Sequence, residues 1–170
     1  MQLVDEAIRN WETTRSGVIA ELENIPDAEW DYRPGAGARS LGELAFHIAD
    51  SGAFFVAELT RADGNFARFF DPNARAQITA QLPPGRSKTD LMQLLRDTGA
   101  QGMDRLRHAD GDLSSQRMPA LGGEQSRLTA LWFAVSHEWY HRGQIATYAR
   151  GVGRTPALTQ QMGTRQSRSS

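Results

Sequence analysis

The chain has 170 residues, a length that suits one domain with a substantial core. It carries 19 Lys and Arg against 20 Asp and Glu, and this net charge of −1 offers no basic face for nucleic acid. No apolar run approaches the roughly 18 residues of a membrane span, and the N-terminus does not resemble a signal peptide. The absence of cysteine excludes disulfides, cysteine–zinc sites and a cysteine nucleophile. A cytoplasmic protein without nucleic-acid or membrane partners is therefore expected.

The first two predicted helices lie in the N-terminal third of the chain. Apolar residues recur at three- and four-residue steps over 3–25, and Pro26 ends this helix. A second helix is predicted over 40–61. A capping box marks its start, because the Ser40 hydroxyl can accept the Glu43 amide while the Glu43 side chain returns to the backbone of Ser40.

An irregular segment over 62–87 separates the second predicted helix from the third. Asp-Gly, Asp-Pro and Pro-Pro-Gly sequences interrupt it, and a loop of this length is commonly functional or partly disordered. The third helix is predicted to begin at a cap formed by Ser87 and Asp90 and to end at Gly111.

The fourth predicted helix covers about 126–150 and ends at Gly151, after a loop over 112–125. The chain shows no strand alternation longer than a few residues and no internal repeat. The sequence therefore predicts an all-α fold, a bundle of four helices. The predicted domain covers 1–158, and a flexible tail is expected over 159–170.

The fourth helix contains two histidines one turn apart. His137, Glu138 and His141 form the pattern H-E-x-x-H, which is the signature of zinc proteases. Residues four apart in a helix differ by about 40° in projection, so the two imidazoles can bind one ion. On spacing alone, an ordinary pair of surface or core histidines is the more common outcome.

A zinc protease of the standard type is disfavoured by the residues that follow this pattern. The third zinc ligand of such enzymes lies downstream as His, Glu or Asp, and none of these residues follows His141. Glu138 is expected to form a salt bridge between helices more readily than to act as an acid or base.

The second helix offers a further imidazole at His47, in an apolar environment where a lone histidine is more often a satisfied core residue than a ligand. His108 lies at the end of the third helix and is expected to be solvated. Helices of a bundle pack with their axes about 8–10 Å apart, so His47 can share an ion with His137 and His141. Three histidine ligands leave a position for water or substrate, which is typical of catalytic metal sites.

The sequence resembles the DinB-like (DinB/YfiT-like) four-helix-bundle metalloproteins over about residues 1–158 in layout. The matching residues are Tyr32-Arg33-Pro34, the segment RSLGEL over 39–44, His47, the segment HEWYHRGQI over 137–145, Tyr148 and Gly153. The combination of a histidine in the second helix with H-x-x-x-H-R-G-Q in the fourth is the specific part of this resemblance.

The resemblance implies an up-down-down-up bundle that holds a divalent metal ion on His47, His137 and His141. It implies zinc, nickel or iron as candidate metals, and often a homodimer. The family that the chain resembles includes thiol-dependent S-transferases and isomerases, which use low-molecular-weight thiols together with a small-molecule substrate.

Side chains within a turn of the three histidines have both structural and functional interpretations. Glu43 is expected to serve the capping box alone, and Asp50 to be solvated or to orient an imidazole. Gln144 could anchor an acidic substrate, whereas Arg142 is expected to serve structure. The aromatic residues are expected to form core, or else to line or cover a pocket: Phe54, Phe55, Phe66, Phe69, Phe70 and Trp132.

Besides the disfavoured zinc protease, three functional hypotheses follow from the sequence. The first is a metal-dependent enzyme, either a thiol-dependent S-transferase or a metal-assisted hydrolase. The second is a non-catalytic protein of the same fold that binds a metal or small ligand in stress response or regulation. The third is a metal-free bundle whose histidines are relics.

Overall fold

A computed structural model describes residues 2–109, 111–120 and 122–166 of the chain. This part contains six α-helices: α1 (Gln2–Glu23), α2 (Leu41–Thr60), α3 (Pro72–Thr79), α4 (Lys88–Arg107), α5 (Arg127–Gly151) and α6 (Ala157–Gln166). Two strands, β1 (Arg117–Ala120) and β2 (Gly123–Ser126), form an antiparallel hairpin. Among the described helices, none combines the length and the apolar character that a membrane crossing requires. The four long helices are those predicted from the sequence.

The long helices begin at the predicted caps. The Ser40 hydroxyl accepts the Glu43 amide at 3.1 Å, and the Glu43 carboxylate accepts the Ser40 amide at 2.9 Å. Ser87 and Asp90 form the same reciprocal pair at α4, and Ser126 caps α5. These side chains satisfy backbone amides that have no partner within the helix, so the starting points are determined locally.

The helix directions follow from contacts between distant residues. Arg15 of α1 binds Glu138 of α5, and further along both helices Glu21 Oε1 lies 3.9 Å from Arg142 Nε, so α1 and α5 are parallel. The N-terminal halves of α2 and α4 share one hydrophobic cluster with the C-terminal halves of α1 and α5. This arrangement is the up-down-down-up order, and the predicted four-helix bundle is confirmed.

Two hydrophobic clusters form the core, one at each end of the bundle. The first includes Trp11, Phe54, Phe55, Phe66, Met103, Met118 and Leu131. The second includes Leu22, Leu41, Leu44, Ile48, Leu95 and Ile145. Each cluster draws on all four long helices, which explains why the apolar stripes of the sequence repeat at helical spacing.

A buried polar layer separates the two clusters. Arg15 is 5% exposed and its Nε donates to Glu138 Oε2 at 2.9 Å, while the Glu138 side chain is fully buried. The Trp11 indole donates to Glu138 Oε1 at 2.7 Å, and Arg15 also donates to the Leu95 carbonyl at 2.8 Å. A methyl group at Gly52 would lie 2.6 Å from the Arg15 guanidinium, so a side chain there would displace Arg15 from this network.

The segment over 62–87, predicted to be irregular, contains a 3-10 turn at Phe66–Phe70 and helix α3. The Asp71 side chain caps α3, and Pro72 occupies the first helical position. Arg75 and Thr79 of this helix both donate to Asp50 of α2. The helix therefore depends on a partner more than 20 residues away, which periodicity within the segment does not reveal.

The prediction of a loop without strands over 112–125 is wrong, because β1 and β2 pair there. Gly122 and Gly123 have φ angles of 85° and 124°, a region that only glycine adopts readily, and they allow the chain to reverse. Met118 of β1 is buried in the first hydrophobic cluster. The strands are four residues long, too short to show an alternating pattern in the sequence.

The segment 159–166, part of the tail predicted to be flexible, is helical in the structure as part of α6, which ends at Gln166. The flexibility of this tail stays a prediction. The carboxylate of Glu21 accepts the amides of Ala157 at 2.7 Å and Leu158 at 3.0 Å. A fully buried carboxylate from α1 thus supplies the N-terminal cap of α6. Residues 167–170 lie outside the described part of the chain.

We expect Glu138→Leu to lower the free energy of unfolding by about 3–5 kcal/mol, because it leaves the Arg15 guanidinium buried without its partner. Glu23→Leu removes an exposed partner of Arg96 and should cost less than about 1 kcal/mol. Urea unfolding of both variants tests this. The double variant Arg15→Met/Glu138→Leu should lose less free energy of unfolding than the single variants Arg15→Met and Glu138→Leu lose in sum. A loss equal to that sum would contradict a coupled pair.

Candidate metal centre

The antiparallel packing of α2 against α5 brings three imidazoles together at the level of the polar layer. His47 Nε2 lies 3.1 Å from His141 Nε2, which lies 3.1 Å from His137 Nε2. One ring nitrogen from each histidine falls within 4.8 Å of the others. The structure thus places the three residues that the sequence singled out around one point, which we call the histidine triad. His108 does not belong to the triad: its ring is exposed and forms a hydrogen bond with the Asp104 carbonyl.

The spacing of the triad nitrogens suits a divalent ion. Zinc and similar ions bind imidazole nitrogen at about 2.0–2.1 Å, which places tetrahedral ligand atoms about 3.3 Å apart. The observed separation of 3.1 Å between neighbouring Nε2 atoms is close to that value. Two of the three separations therefore suit a tetrahedral ion, and all three donor nitrogens, which come from two helices, lie within 4.8 Å of one another.

Hydrogen bonds orient two of the three rings. Gln144 Oε1 lies 2.7 Å from His141 Nδ1 and can only accept, so Nδ1 carries the proton and Nε2 keeps a free lone pair. The Gln144 amide in turn donates to the Tyr140 hydroxyl at 3.1 Å. Ser51 Oγ lies 3.4 Å from His47 Nδ1 and orients that ring, although a hydroxyl can donate or accept and so does not select its tautomer. A partner that fixes the tautomer of a ligand, as Gln144 does, raises metal affinity.

His137 is held by aromatic rings instead. The ring centroids of Phe55, Phe69 and Phe133 lie 5.3, 6.1 and 6.5 Å from that of His137. Its Nδ1 is buried and has no hydrogen-bond partner among the described residues. Packing thus positions this imidazole, and its environment is the least polar of the three.

The environment keeps the imidazoles neutral. Burial is the largest cause that lowers the pKa of His47 and of His137 to about 3, and the charge of Arg39 adds to both effects. Burial also lowers the pKa of His141, against the opposing hydrogen bond to Gln144. Neutral imidazole is the form that binds metal, so near pH 7 the triad needs no deprotonation to bind an ion.

The carboxylates nearest in sequence to the triad are all bound elsewhere. Glu138 binds Arg15, so the predicted salt bridge between helices is confirmed. Glu43 forms the capping box, and its carboxylate also accepts hydrogen bonds from both terminal nitrogens of Arg33 at 2.6 Å. Their side chains are therefore unavailable as free bases.

The environment of Asp50 differs from the predicted one. It is 4% exposed rather than solvated, and it binds Arg75 and Thr79 instead of an imidazole. Arg75 also lies over the Phe69 ring, 4.5 Å from its centroid. No pattern in the sequence marks Arg75, because only the tertiary contact between α2 and α3 identifies it.

Of the remaining predictions for individual residues, the structure contradicts one and confirms the others. Gln144 orients His141 and is engaged there, so the proposed role in anchoring an acidic substrate does not fit. Arg142 is buried against Gly17 and lies over the Trp139 ring, and its predicted structural role is confirmed. Phe54, Phe55 and Phe66 belong to the core as expected.

A small aromatic pocket adjoins the triad on the side of His137. Its volume is about 110 Å³, and its lining consists of Phe66, Phe69, Phe70, Ala120, Gln125 and Phe133. Phe70 is 64% exposed, so the pocket opens to solvent at that residue. The alternative expectation that aromatic residues of 62–87 line a pocket therefore holds for this segment.

Comparison with known proteins identifies the family. The DinB family model matches residues 1–168, and the chain belongs to the DinB family. No curated protein matches the chain.

Several solved structures have the same fold. A DinB-like protein from Bacillus subtilis matches with a TM-score of 0.68 at 21% identity, covering 88% of this chain and 93% of its own. YfiT from Bacillus subtilis, described as a probable metal-dependent hydrolase with an unusual four-helix bundle topology, matches at 0.67 and 18% identity, covering 89% of each chain. A mycothiol-dependent maleylpyruvate isomerase matches at 0.66 and 18% identity, covering 84% of this chain and 60% of its own.

We expect His47→Ala and His137→Ala each to abolish stoichiometric metal binding, because each removes one of three donors to a single ion. The wild-type protein, expressed without a polyhistidine tag, should hold about one divalent ion per chain by elemental analysis. His108→Ala is the matched control and should retain the ion. Full metal content in the His47→Ala protein would contradict a three-histidine site.

The stability of the metal-free protein should fall as the pH drops below about 6.5. Unfolded histidine takes up a proton near pH 6.5, whereas folded His47 and His137 do so only near pH 3. The unfolded state therefore binds more protons throughout this range, and acid favours it. Urea unfolding between pH 7 and pH 4 should show that the free energy of unfolding declines less steeply with falling pH in His137→Gln than in the wild-type protein. His108→Gln should keep the wild-type slope, and equal slopes for all three proteins would contradict the assignment.

Proposed function

We propose that this DinB-family chain is a divalent-metal-dependent enzyme whose ion is held by His47, His137 and His141. The observation that carries the proposal is the convergence of three neutral imidazoles, with neighbouring Nε2 atoms 3.1 Å apart. Three protein ligands leave coordination positions for a substrate, as in catalytic rather than structural sites. Imidazole donors suit zinc, nickel and iron, and these are the candidate ions.

The chemistry that we favour is transfer of a low-molecular-weight thiol. A divalent ion on this donor set lowers the pKa of a bound thiol or water and polarises a substrate. Among the described residues, the carboxylates beside the triad in sequence are bound to arginines, so none is free as a general base. A thiol has a pKa of only about 8.5 and needs little such assistance, whereas water needs more.

The apolar lining beside His137 supports the same choice. Phe69, Phe70 and Phe133 offer a dry surface to the apolar part of a small substrate, in a pocket of about 110 Å³. Sulfur is polarisable and makes favourable contacts with aromatic rings. The mycothiol-dependent isomerase with the same fold supports thiol chemistry in this architecture.

Metal-assisted hydrolysis is the second candidate function. The likeness of the fold to YfiT, a probable metal-dependent hydrolase, supports it. A non-catalytic role in binding a metal or small ligand is the alternative outside enzymology. The homodimer and the cytoplasmic location expected from the sequence stay predictions.

The metal-loaded protein should conjugate a simple thiol to an electrophile at least about tenfold faster than the metal-free protein at pH 6.5. At this pH a free thiol is only about 1% thiolate, so an ion that deprotonates it has a large effect. His141→Ala should reduce the rate to background, and His108→Ala should leave it unchanged. Ester hydrolysis followed in parallel tests the second candidate, and a stoichiometrically loaded protein inactive in both assays would favour the non-catalytic role.

A further inference from the structure

The aromatic pocket beside His137 is too small for a whole substrate. Its volume is about 110 Å³, whereas pockets that hold a drug-sized ligand measure about 300–1,000 Å³. An engineered apolar cavity of about 150 Å³ binds benzene. The pocket therefore has room for one small group of about the size of a single six-membered ring, part of which stays at the opening beside Phe70.

The lining of the pocket favours an uncharged aromatic group. It consists of four phenylalanines, one alanine and one glutamine, and no lining residue carries a charge. Aromatic rings pack well on one another, edge to face or offset. The charged groups of a cysteine-type thiol would lose their hydration here without compensation. The group that fits the pocket therefore belongs to the second substrate and not to the thiol.

Contacts within the protein hold the walls of the pocket. The Phe66 ring stacks on the buried Phe55 ring, with the two centroids 5.1 Å apart. The Phe69 ring lies beneath the guanidinium of Arg75, which binds Asp50 of α2. Because these side chains are already ordered, binding a ring costs little conformational entropy.

Two walls of the pocket also contact the histidine triad. The ring centroids of Phe69 and Phe133 lie 6.1 and 6.5 Å from that of His137, and both rings line the pocket. A ring in the pocket packs on the same two side chains as the His137 imidazole. It is therefore placed next to the candidate metal centre and not on a remote surface.

We propose that this pocket binds an aromatic ring of the electrophile that accepts the thiol, so that the protein selects small electrophiles with a single ring. This inference rests on the proposed thiol-transfer function and names the class of its second substrate. In the transfer, the thiolate sulfur forms a bond to the electrophilic carbon. The leaving group departs with the electron pair of its own bond, and the proton of the thiol passes to solvent. Ala120 of β1 sets the size of the accepted group, because it is the smallest side chain of the lining.

Fluorine NMR measures binding of the ring without turnover. The purified protein is titrated with 4-fluorotoluene, which has one ring and no metal ligand, and with 1-fluoronaphthalene, which has two rings. The wild-type protein should bind the one-ring probe about tenfold more tightly than the two-ring probe, because only one ring fits. Ala120→Phe fills the pocket and should weaken binding of 4-fluorotoluene about tenfold.

Two further variants make this test independent of whether Ala120→Phe folds. Phe133→Ala removes one wall, so it should bind 1-fluoronaphthalene at least about as tightly as 4-fluorotoluene. Ala28→Phe is the matched control, an exposed alanine between Ile25 and Trp30 of the second hydrophobic cluster, and should keep the wild-type affinities within roughly twofold. Exchange of zinc for cobalt in the wild-type protein should shift the resonance of bound 4-fluorotoluene, because the paramagnetic ion lies close to the ring.

The link to thiol transfer is measured with two bromides that share a leaving group. The metal-loaded protein is given a simple thiol with benzyl bromide or with bromoethane. Ala120→Phe should lower kcat/KM for benzyl bromide about tenfold and leave that for bromoethane within roughly twofold, because only the first bromide brings a ring. Ala28→Phe should leave both values unchanged.

The outcomes separate this inference from the proposed function. Equal binding of the two fluorinated probes by the wild-type protein, or affinities unchanged in both Ala120→Phe and Phe133→Ala, would overturn the ring site whatever the thiol assay shows. Thiol transfer that Ala120→Phe slows equally for both bromides would leave the proposed function standing and overturn the selection of the electrophile. Selective ring binding without thiol transfer to either bromide would confirm the ring site and remove the thiol-transfer function.

Discussion

The ion pair between Arg15 and Glu138 is the interaction on which the site depends. A buried carboxylate is tolerated only where a partner and hydrogen bonds compensate it, and Glu138 has both in Arg15 and Trp11. Glu138 must therefore face α1. Because neighbouring residues of a helix differ by about 100°, this requirement sets the rotation of α5 and turns His137 and His141 toward α2.

The same ion pair explains why an H-E-x-x-H pattern does not make a zinc protease here. In that signature the glutamate acts as general base beside the ion. In this bundle both oxygens of Glu138 accept hydrogen bonds from α1, and the side chain is fully buried. Two histidines one turn apart can hold an ion in either fold, but the function of the residue between them depends on which face of the helix the fold buries.

The electrostatic character of the centre is a consequence of how arginines are distributed. Each neighbouring carboxylate is neutralised by a guanidinium, and the imidazoles are neutral because they are buried. A site of this kind has little acid–base capacity of its own. Under the proposed function its chemistry would come from a bound ion, and a thiol would suit it better than water because a thiol loses its proton more readily.

The sequence by itself determined the four long helices, their capping boxes and the spacing of His137 and His141, because these features depend on residues within one or two turns of one another. The inclusion of His47 required helix packing, and the resemblance to the DinB-like family supported it. Only the tertiary structure decided which arginine meets which carboxylate, and that α3, the hairpin and α6 form at all. α3 is attached through Asp50 and α6 through Glu21, both distant in sequence. Short elements bury too little surface to be stable alone, so their existence depends on partners that local patterns do not contain.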